Sequence, residues 1–247
     1  MKATVTLTVS ESKRLIAKGI VDLACVQKAF KKGLIVIATG STNSYIVEEL
    51  LGKKIDKLAY ITGYTAPKNK NVNLPQQKLP DVIFKNGNLV RNLNRFEAVK
   101  QMKEGDVFIK GANALNYEKK VAGILMTDLN GGTIGGCIGP VTARKANLII
   151  PIGLEKLVAN DIIETSKLFP SDTKFVTGNI SLFPVPSGTI ITEIEAIETL
   201  VKVKAFHIGS GGIFGAQGAT KLLLEGTSQN LKSAINIIET IQGEPAL

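Results

Sequence analysis

Short apolar runs alternate with amphipathic helical segments along most of this sequence, and this alternation constrains the fold more than any other feature. Residues 34–38 and 148–152 have the length of buried strands, and the apolar residues of segment 11–31 recur at helical spacing. Strands that alternate with helices are typical of a parallel sheet covered by helices. The sequence therefore predicts a three-layer α/β fold with a largely parallel sheet and a helix over residues 11–31.

Turn signals add further elements. Asn86-Gly87 lies between two apolar runs and predicts a β-hairpin, because both residues tolerate the positive φ of a type I′ turn. A strand is predicted over residues 58–62 and β structure over residues 173–191. The Pro- and Asn-containing segment 63–80 is predicted to be a surface loop.

The length of 247 residues suits one large α/β domain or two small ones. We expect a single domain over residues 1–247, with a smaller α+β portion within residues 155–247. Hydrophobic residues make up 44% of the chain, so a core can form without disulfides or metal. Two cysteines and one histidine exclude zinc-finger spacings, and we predict no metal site.

No apolar segment approaches the ~20 residues that cross a bilayer, and the first ten residues lack the apolar core of a signal peptide. We therefore expect a cytoplasmic protein with no membrane partner. We also expect a homo-oligomer.

The net charge of +9 comes almost entirely from lysines that are spread along the chain. A solvated, lysine-rich surface explains this pattern best, and a positive field that attracts anionic metabolites is the next interpretation. Nucleic-acid binding is the least favoured, because nucleic-acid readers prefer arginine.

The most informative segment is a glycine turn between a strand and a helix. The free amides at a helix start and the nearby hydroxyls can hold a phosphate or carboxylate group. A plain helix cap is the alternative, and the Gly-Lys-Ser/Thr ending of a phosphate-binding P-loop is absent. The predicted anion-binding residues of this turn are Thr39, Gly40, Ser41, Thr42 and Asn43.

Two further glycine groups, at residues 130–139 and 209–218, also follow predicted strands. Because ligands of α/β sheets bind outside the carboxyl ends of strands, the three turns could converge on one site. Tight turns without a ligand are the alternative. The later group contains a weak dinucleotide pattern without the expected acidic residue, and we predict no cofactor. The ligand-binding glycines predicted here are Gly131, Gly132, Gly211 and Gly212.

Residues 11–50, which include the strand and the Ala-Thr-Gly-Ser-Thr turn, resemble the start of ribose-5-phosphate isomerase of the A type. A weaker resemblance covers residues 105–158. It implies the fold shared by glucosamine-6-phosphate deaminase, that isomerase and the CoA transferases (the NagB/RpiA/CoA transferase-like fold). It also implies that the turn at residues 39–42 binds the phosphate of a sugar phosphate.

The catalytic acids of the isomerase are missing. They fall on Asn113 and Asn116, and the base carboxylate would fall near Arg144-Lys145. Moving a proton between neighbouring carbons requires a base. The resemblance therefore carries over the fold and the anion-binding turn but not the isomerase chemistry, and Asn113 is retained only as a ligand-binding candidate.

Three other residues are candidates for chemistry. Asp128 ends a predicted strand before a glycine group, and His207 lies at a strand end beside another. Glu195 belongs to a group of acids at a predicted helix start, where a favourable interaction with the helix dipole is the simpler explanation. For His207 the simpler explanation is a hydrogen-bonded, half-buried side chain.

These patterns predict a protein that binds a small anionic metabolite, either a sugar phosphate or a CoA-type ligand. One hypothesis is an isomerase- or transferase-like enzyme with a rearranged site. The other is a non-catalytic metabolite-binding or regulatory protein. The sequence leaves both open.

Overall fold

A six-stranded mixed β-sheet lies at the centre of the computed structural model, which describes residues 1–66, 73–169 and 180–247. Four neighbouring strands are parallel, and a hairpin extends the sheet antiparallel at one edge. The mixed α/β class is therefore confirmed. Numbered along the chain and given in spatial order, the strands are β10 (Thr189–Ile191), β8 (Asn147–Pro151), β5 (Val107–Ile109), β2 (Leu34–Ile37), β3 (Val82–Lys85) and β4 (Asn88–Val90).

The central strands are almost wholly apolar because helices cover the sheet. Every residue of β2 and of β5 is buried, as expected for parallel strands covered on both faces. The longest helix, α1, packs against α3 and α7, while α4 packs against α5. The helices are α1 (Val9–Asp22), α2 (Ala24–Lys32), α3 (Ser41–Leu51), α4 (Arg95–Ala98), α5 (Gly132–Ala143), α6 (Ile162–Ser166), α7 (Glu193–Leu200) and α8 (Ser228–Glu239).

Two three-stranded antiparallel sheets accompany the central sheet. In the first, the N-terminal strand β1 (Lys2–Leu7) pairs with β12 (Thr220–Glu225), which also pairs with β11 (Lys204–Ser210). The second contains β7 (Val121–Met126) between β6 (Ala114–Asn116) and β9 (Ser181–Val185). The sequence patterns do not predict β6 or β12.

Three local predictions were wrong. The helix predicted over residues 11–31 is interrupted at Leu23, whose extended ψ of 132° ends α1 before α2 begins. The strand predicted over residues 58–62 is a 3₁₀ turn at Leu58–Tyr60, because the Asp56 side chain accepts from the N–H groups of Leu58 and Ala59 and favours a turn at this point. The glycine group at residues 130–139 forms most of helix α5 instead of successive turns, with Ile134, Cys137 and Val141 buried at helical spacing.

Other predictions were confirmed. The hairpin turns at Asn86 and Gly87, which have φ of 51° and 80°. Parts of the loop predicted over residues 63–80 and of the β structure predicted over residues 173–191 lie outside the described residues.

Gly19 permits the close crossing of α1 and α7. A Cβ atom at this position would lie 2.5 Å from the Cα atom of Ala196, so one helix would have to move. We expect Gly19→Ala to lower the free energy of unfolding by about 1–3 kcal/mol, as overpacking does. Gly139 of α5 is the matched control, because a Cβ there meets no atom within 4 Å. Gly139→Ala should change the free energy of unfolding by less than about 1 kcal/mol, because the gain in helix propensity is opposed by the restriction that Pro140 places on the residue before it. Urea denaturation measures both values, and equal effects would contradict the packing argument.

Candidate functional site

The order of the central strands defines a crevice between β2 and β5. Counted in chain order, the six strands read 3-2-1-4-5-6 from β4 to β10. After β2 the chain adds strands on one side of the sheet, and from β5 onward it adds them on the other. Ligands of open α/β sheets bind outside the carboxyl ends of the strands at such a reversal. The turn after β2 and the segment after β5 therefore border the expected binding position.

The glycine turn follows β2 directly, with Gly40 as the N-cap residue of α3. Residues 41–43, predicted to be part of the turn, instead form the first turn of the helix. The N–H of Gly40 donates to the carbonyl of Tyr60 at 2.9 Å, and the Thr39 hydroxyl lies 2.8 Å from that of Thr62. No side chain among the described residues caps the start of α3, so the amides of Ser41 and Thr42 lack the side-chain acceptor that helix starts commonly have.

Asn43 links the ends of the two strands that border the crevice. Its Nδ2 atom donates to the carbonyl of Ala38 at 2.6 Å and is 3.4 Å from the carbonyl of Ile109. Its Oδ1 atom is buried and has no hydrogen-bond partner among the described residues. A Cβ atom at Gly111 would lie 3.8 Å from that oxygen. The Asn43 amide NH₂ group is therefore used to bind backbone carbonyls at the ends of β2 and β5, and only its Oδ1 atom is available to accept a hydrogen bond from a ligand.

Lys110 and Lys156 bring positive charge to the same edge of the sheet. Lys110 directly follows β5, and its Nζ atom donates to the carbonyl of Gly111 at 2.9 Å. Lys156, which follows β8, donates to the carbonyl of Ala112 at 3.1 Å. Burial, with the nearby charges of Arg95 and Lys156, lowers the pKa of Lys110 to about 8.

Lys13 and Arg95 extend this positive region. Burial and the charge of Lys156 lower the pKa of Lys13 to about 8, against an opposing effect of Glu155. Arg95 is fixed by Asp81, at 2.6 Å and 3.0 Å, and by the Thr133 hydroxyl at 2.6 Å. We call Lys13, Lys110, Lys156 and Arg95 the rim cations.

Two carboxylates lie at the Lys13 end of the rim cations. Glu193 is fully buried and accepts from the N–H of Leu154 at 2.9 Å and from the Thr220 hydroxyl at 3.2 Å. Burial, followed by the charge of Glu155, raises the pKa of Glu193 to about 7. Glu155 folds over Gly153, since a Cβ atom there would lie 1.8 Å from its Oε2 atom, which is buried and unpartnered among the described residues. Ionisation of Glu193 is therefore disfavoured by its buried position and by Glu155.

The third glycine group approaches these carboxylates. A Cβ atom at Gly218 would lie 3.8 Å from the Cβ atom of Glu155. Gly211 donates to the carbonyl of Ala219 at 2.8 Å, which closes the loop that contains Gly212. Only Gly218, the last residue of this group, thus lies beside Glu155, and no described contact joins Gly211 or Gly212 to the rim cations.

The second glycine group reaches the rim through α5. Gly131 is its N-cap residue with φ of 78°, and Gly132 begins the helix with φ of 53°. Thr133 binds Arg95, and Cys137 lies near Lys110. Burial raises the pKa of Cys137 to about 11, so this thiol is protonated at neutral pH.

The other predicted site residues have local partners. Asp128 is exposed and accepts from the N–H of Asn130 at 2.7 Å. Asn113 accepts from the N–H of Leu125 at 3.0 Å, which ties it to β7. Glu195 accepts from the N–H of Thr192 at 2.9 Å in a capping box, and from the Tyr117 hydroxyl at 2.7 Å. No described contact brings these three residues to the rim cations.

His207 lies in a separate place. Its Nε2 atom is 2.8 Å from the Ser210 hydroxyl and 3.0 Å from the carbonyl of Gly209. It lines a cavity of about 310 Å³ together with Tyr117, Leu154, Leu157, Ile194, Ala205 and Phe206. This mostly apolar lining contains none of the rim cations.

Sequence reasoning missed most of the rim cations, because lysines spread along a chain resemble a solvated surface. The available signal was position: Lys110 and Lys156 each lie within five residues of the end of a central strand. Lys13 and Arg95 are brought in by helices, and no local pattern marks them.

Comparisons with known proteins give no relative for this chain: no family model matches it, and no curated protein and no solved structure is significantly similar to it. Across residues 1–66, 73–169 and 180–247, no helix is both long and apolar enough to span a membrane. In the same ranges, no three His, Cys, Asp or Glu side chains are grouped as metal ligands would be. The interpretation of the site therefore rests on its geometry.

Proposed function

We propose that this protein binds a small anionic metabolite in the crevice between β2 and β5. The observation that carries the proposal is that the start of α3, which no described side chain caps, and Lys110 follow the neighbouring parallel strands β2 and β5. Partly buried lysines with a lowered pKa are destabilised as cations by each other and by burial. A bound anion would relieve that repulsion, and the α3 amides would add hydrogen bonds to it.

The ligand class follows from the same groups together with the resemblance of residues 11–50 to ribose-5-phosphate isomerase. We propose that the central sheet belongs to the NagB/RpiA/CoA transferase-like fold and that the ligand is a sugar phosphate or a CoA-type molecule. The strand order, with its reversal between β2 and β5, is compatible with this. The turn at Gly40 would hold a phosphate, and the rim cations would hold further negative charge.

An enzyme is favoured over a non-catalytic binding protein by Glu155, whose charge acts on Lys13 and whose Oε2 atom is buried without a hydrogen-bond partner among the described residues. A carboxylate beside a lysine can take up a proton in general base catalysis. These residues differ from the positions of the missing isomerase acids. The proposed enzyme is therefore isomerase- or transferase-like with a rearranged site.

Ser41→Pro tests the binding proposal, because it removes one amide from the start of α3. Proline is well tolerated at the first helical position, and the extended ψ of 156° at Gly40 suits a following proline. A hydrogen bond to a charged group contributes about 1.5–3 kcal/mol, so we expect phosphate affinity to fall at least about 10-fold. Isothermal titration with inorganic phosphate measures the change.

Ser41→Ala is the matched control, because it removes the hydroxyl but keeps the amide, and it should bind phosphate nearly as the parent does. Titration of the parent with ribose 5-phosphate and coenzyme A then distinguishes the two ligand classes. Unchanged phosphate affinity in a folded Ser41→Pro variant would remove the helix start from the site. Absence of binding by all three ligands would end the proposal.

A further inference from the structure

We propose that Lys110 is a nucleophile that forms an imine with the carbonyl group of an anionic ligand. This inference rests on the proposed anion site and adds a substrate class to it, namely phosphorylated or carboxylated aldehydes and ketones. Neither the resemblance nor the glycine turns suggest it.

The position of Lys110 is the first support. It is the residue that leaves β5 at the strand reversal, and it is partly exposed at the crevice. Its backbone N–H is held by the carbonyl of Ile149 at 3.0 Å, so the start of the side chain is fixed by the sheet. A nucleophile on a strand end is positioned more rigidly than one on a loop.

The surroundings of the Nζ atom are the second support. Several lysines of the described residues form ion pairs with carboxylates, for example Lys57 with Glu48 at 3.2 Å. Within the part of the chain that the structure describes, Lys110 has no carboxylate at ion-pair distance, and its recorded side-chain acceptor is the carbonyl of Gly111. A neutral amine can keep one such hydrogen bond, so loss of the proton breaks no ion pair.

The charges that face Lys110 all come from neighbouring elements. Burial lowers its pKa most, followed by the charges of Arg95 and Lys156, whereas the Cys137 thiol, which would oppose them as a thiolate, is protonated at neutral pH. At pH 7.5 a lysine with a pKa of about 8 is about one quarter neutral, against about 0.1% for an ordinary lysine. The reactive form of Lys110 is therefore on the order of 100-fold more abundant than that of a surface lysine.

The chemical step is a condensation. The Nζ lone pair attacks the carbonyl carbon, a C–N bond forms, and the two amine protons leave with the carbonyl oxygen as water. The product is an imine, and no oxidant or reductant is required. Lys156 and the amides of α3 would hold the anionic end of the ligand while the carbonyl reaches Lys110.

Reductive trapping with a matched pair of aldehydes tests the proposal. The intact protein is treated at pH 7.5 with glycolaldehyde phosphate and sodium cyanoborohydride, which reduces an imine to a stable secondary amine, and the modified lysine is located by peptide mass spectrometry. We expect Lys110 to be modified at least about 10-fold faster than the exposed Lys100. Glycolaldehyde without the phosphate should react at least about 10-fold more slowly, and inorganic phosphate should inhibit the trapping.

Lys110→Arg keeps the positive charge but removes the nucleophile, and it should abolish the fast modification while still binding phosphate. Lys100→Arg is the matched control, because Lys100 is exposed and does not belong to the rim cations, and it should leave the trapping at Lys110 intact. Fast modification at Lys13 instead of Lys110, or equal rates for the two aldehydes, would overturn the proposal. If phosphate binds but Lys110 is not trapped, only this inference fails. If phosphate does not bind, the proposed function fails as well.

Discussion

Replacing Arg14 with methionine is expected to lower the free energy of unfolding by about 3–5 kcal/mol at pH 7, because it leaves buried carboxylates without their main partner. Arg14 of α1 is 5% exposed. It binds Glu48, and it contacts Glu49 and Glu244 at 3.0 Å each. Its guanidinium also lies 4.8 Å from the centre of the Tyr45 ring.

The pH dependence of this loss identifies its cause. Burial alone would raise the pKa values of Glu48 and Glu244, but hydrogen bonds from Arg14 outweigh it and lower both. Groups with a lowered pKa stabilise the fold above their unfolded-state pKa, about 4.3, and lose that contribution as the pH falls. The difference between the parent and Arg14→Met should therefore be large at pH 7 and shrink below about pH 4.

Urea denaturation at pH 7 and pH 3.5 measures both differences. Arg14→Lys is the control, because it keeps the charge but loses the planar fork that binds three carboxylates, and its loss should be intermediate. A pH-independent loss in Arg14→Met would instead indicate that packing against Tyr45 is the main contribution. The contact between Arg14 and Glu244 holds the C-terminal segment against α1. The same variant should therefore also expose that segment to faster proteolysis.

Elements with a strong local signal could be predicted from the sequence. The apolar run of β2, the Asn86-Gly87 turn and the capping pattern of α7 each determine a short structure within a few residues. The break at Leu23 could not be predicted in this way, because the residues on both sides continue the helical spacing. The pairing of β1 with β12 joins opposite ends of the chain and has no local signal.

The candidate site also contains one part that has a local sequence signal and one part that has none. Gly40 was found because a strand, a glycine and a helix follow one another, and that order alone places the turn at the edge of a parallel sheet. The rim cations were missed because their grouping depends on tertiary structure: Lys13 and Lys156 are far apart in sequence, yet the charge of Lys156 helps to lower the pKa of Lys13. Such a cluster can be recognised only from the structure, which shows that Lys13 and Lys110 are more buried than an ordinary surface lysine.

Glu193→Gln should raise the stability of the protein at pH 8 relative to the parent, and the advantage should disappear at pH 4.5. Burial and the charge of Glu155 raise the pKa of Glu193 to about 7. A group with a raised pKa stabilises the fold fully below its unfolded-state pKa, about 4.3, and that contribution is lost as the pH rises through 7. Between pH 4.5 and pH 8, this rise in the pKa of Glu193 corresponds to a loss of about 3 kcal/mol in the free energy of unfolding of the parent.

The glutamine can make the same hydrogen bonds without ionising. Its amide oxygen can accept from the N–H of Leu154, which now lies 2.9 Å from the carboxylate. Its amide NH₂ can donate to the Thr220 hydroxyl, or to the Ser12 hydroxyl, which is buried without a partner among the described residues. The substitution should therefore remove the ionisation without leaving a buried polar group unsatisfied.

Glu195, on the same helix, gives a control of opposite sign. Burial would raise its pKa, but hydrogen bonds from Thr192 and Tyr117 lower it, so the carboxylate form stabilises the fold. Glu195→Gln should therefore destabilise the protein at pH 8, and that loss should fade as the pH falls below about 4. Urea denaturation of both variants between pH 3 and pH 8 makes the comparison. The two effects should have opposite signs and should change in different pH ranges, above pH 4.5 for Glu193→Gln and below about pH 4 for Glu195→Gln. A Glu193→Gln effect that is constant from pH 4.5 to pH 8 would contradict the raised pKa of Glu193.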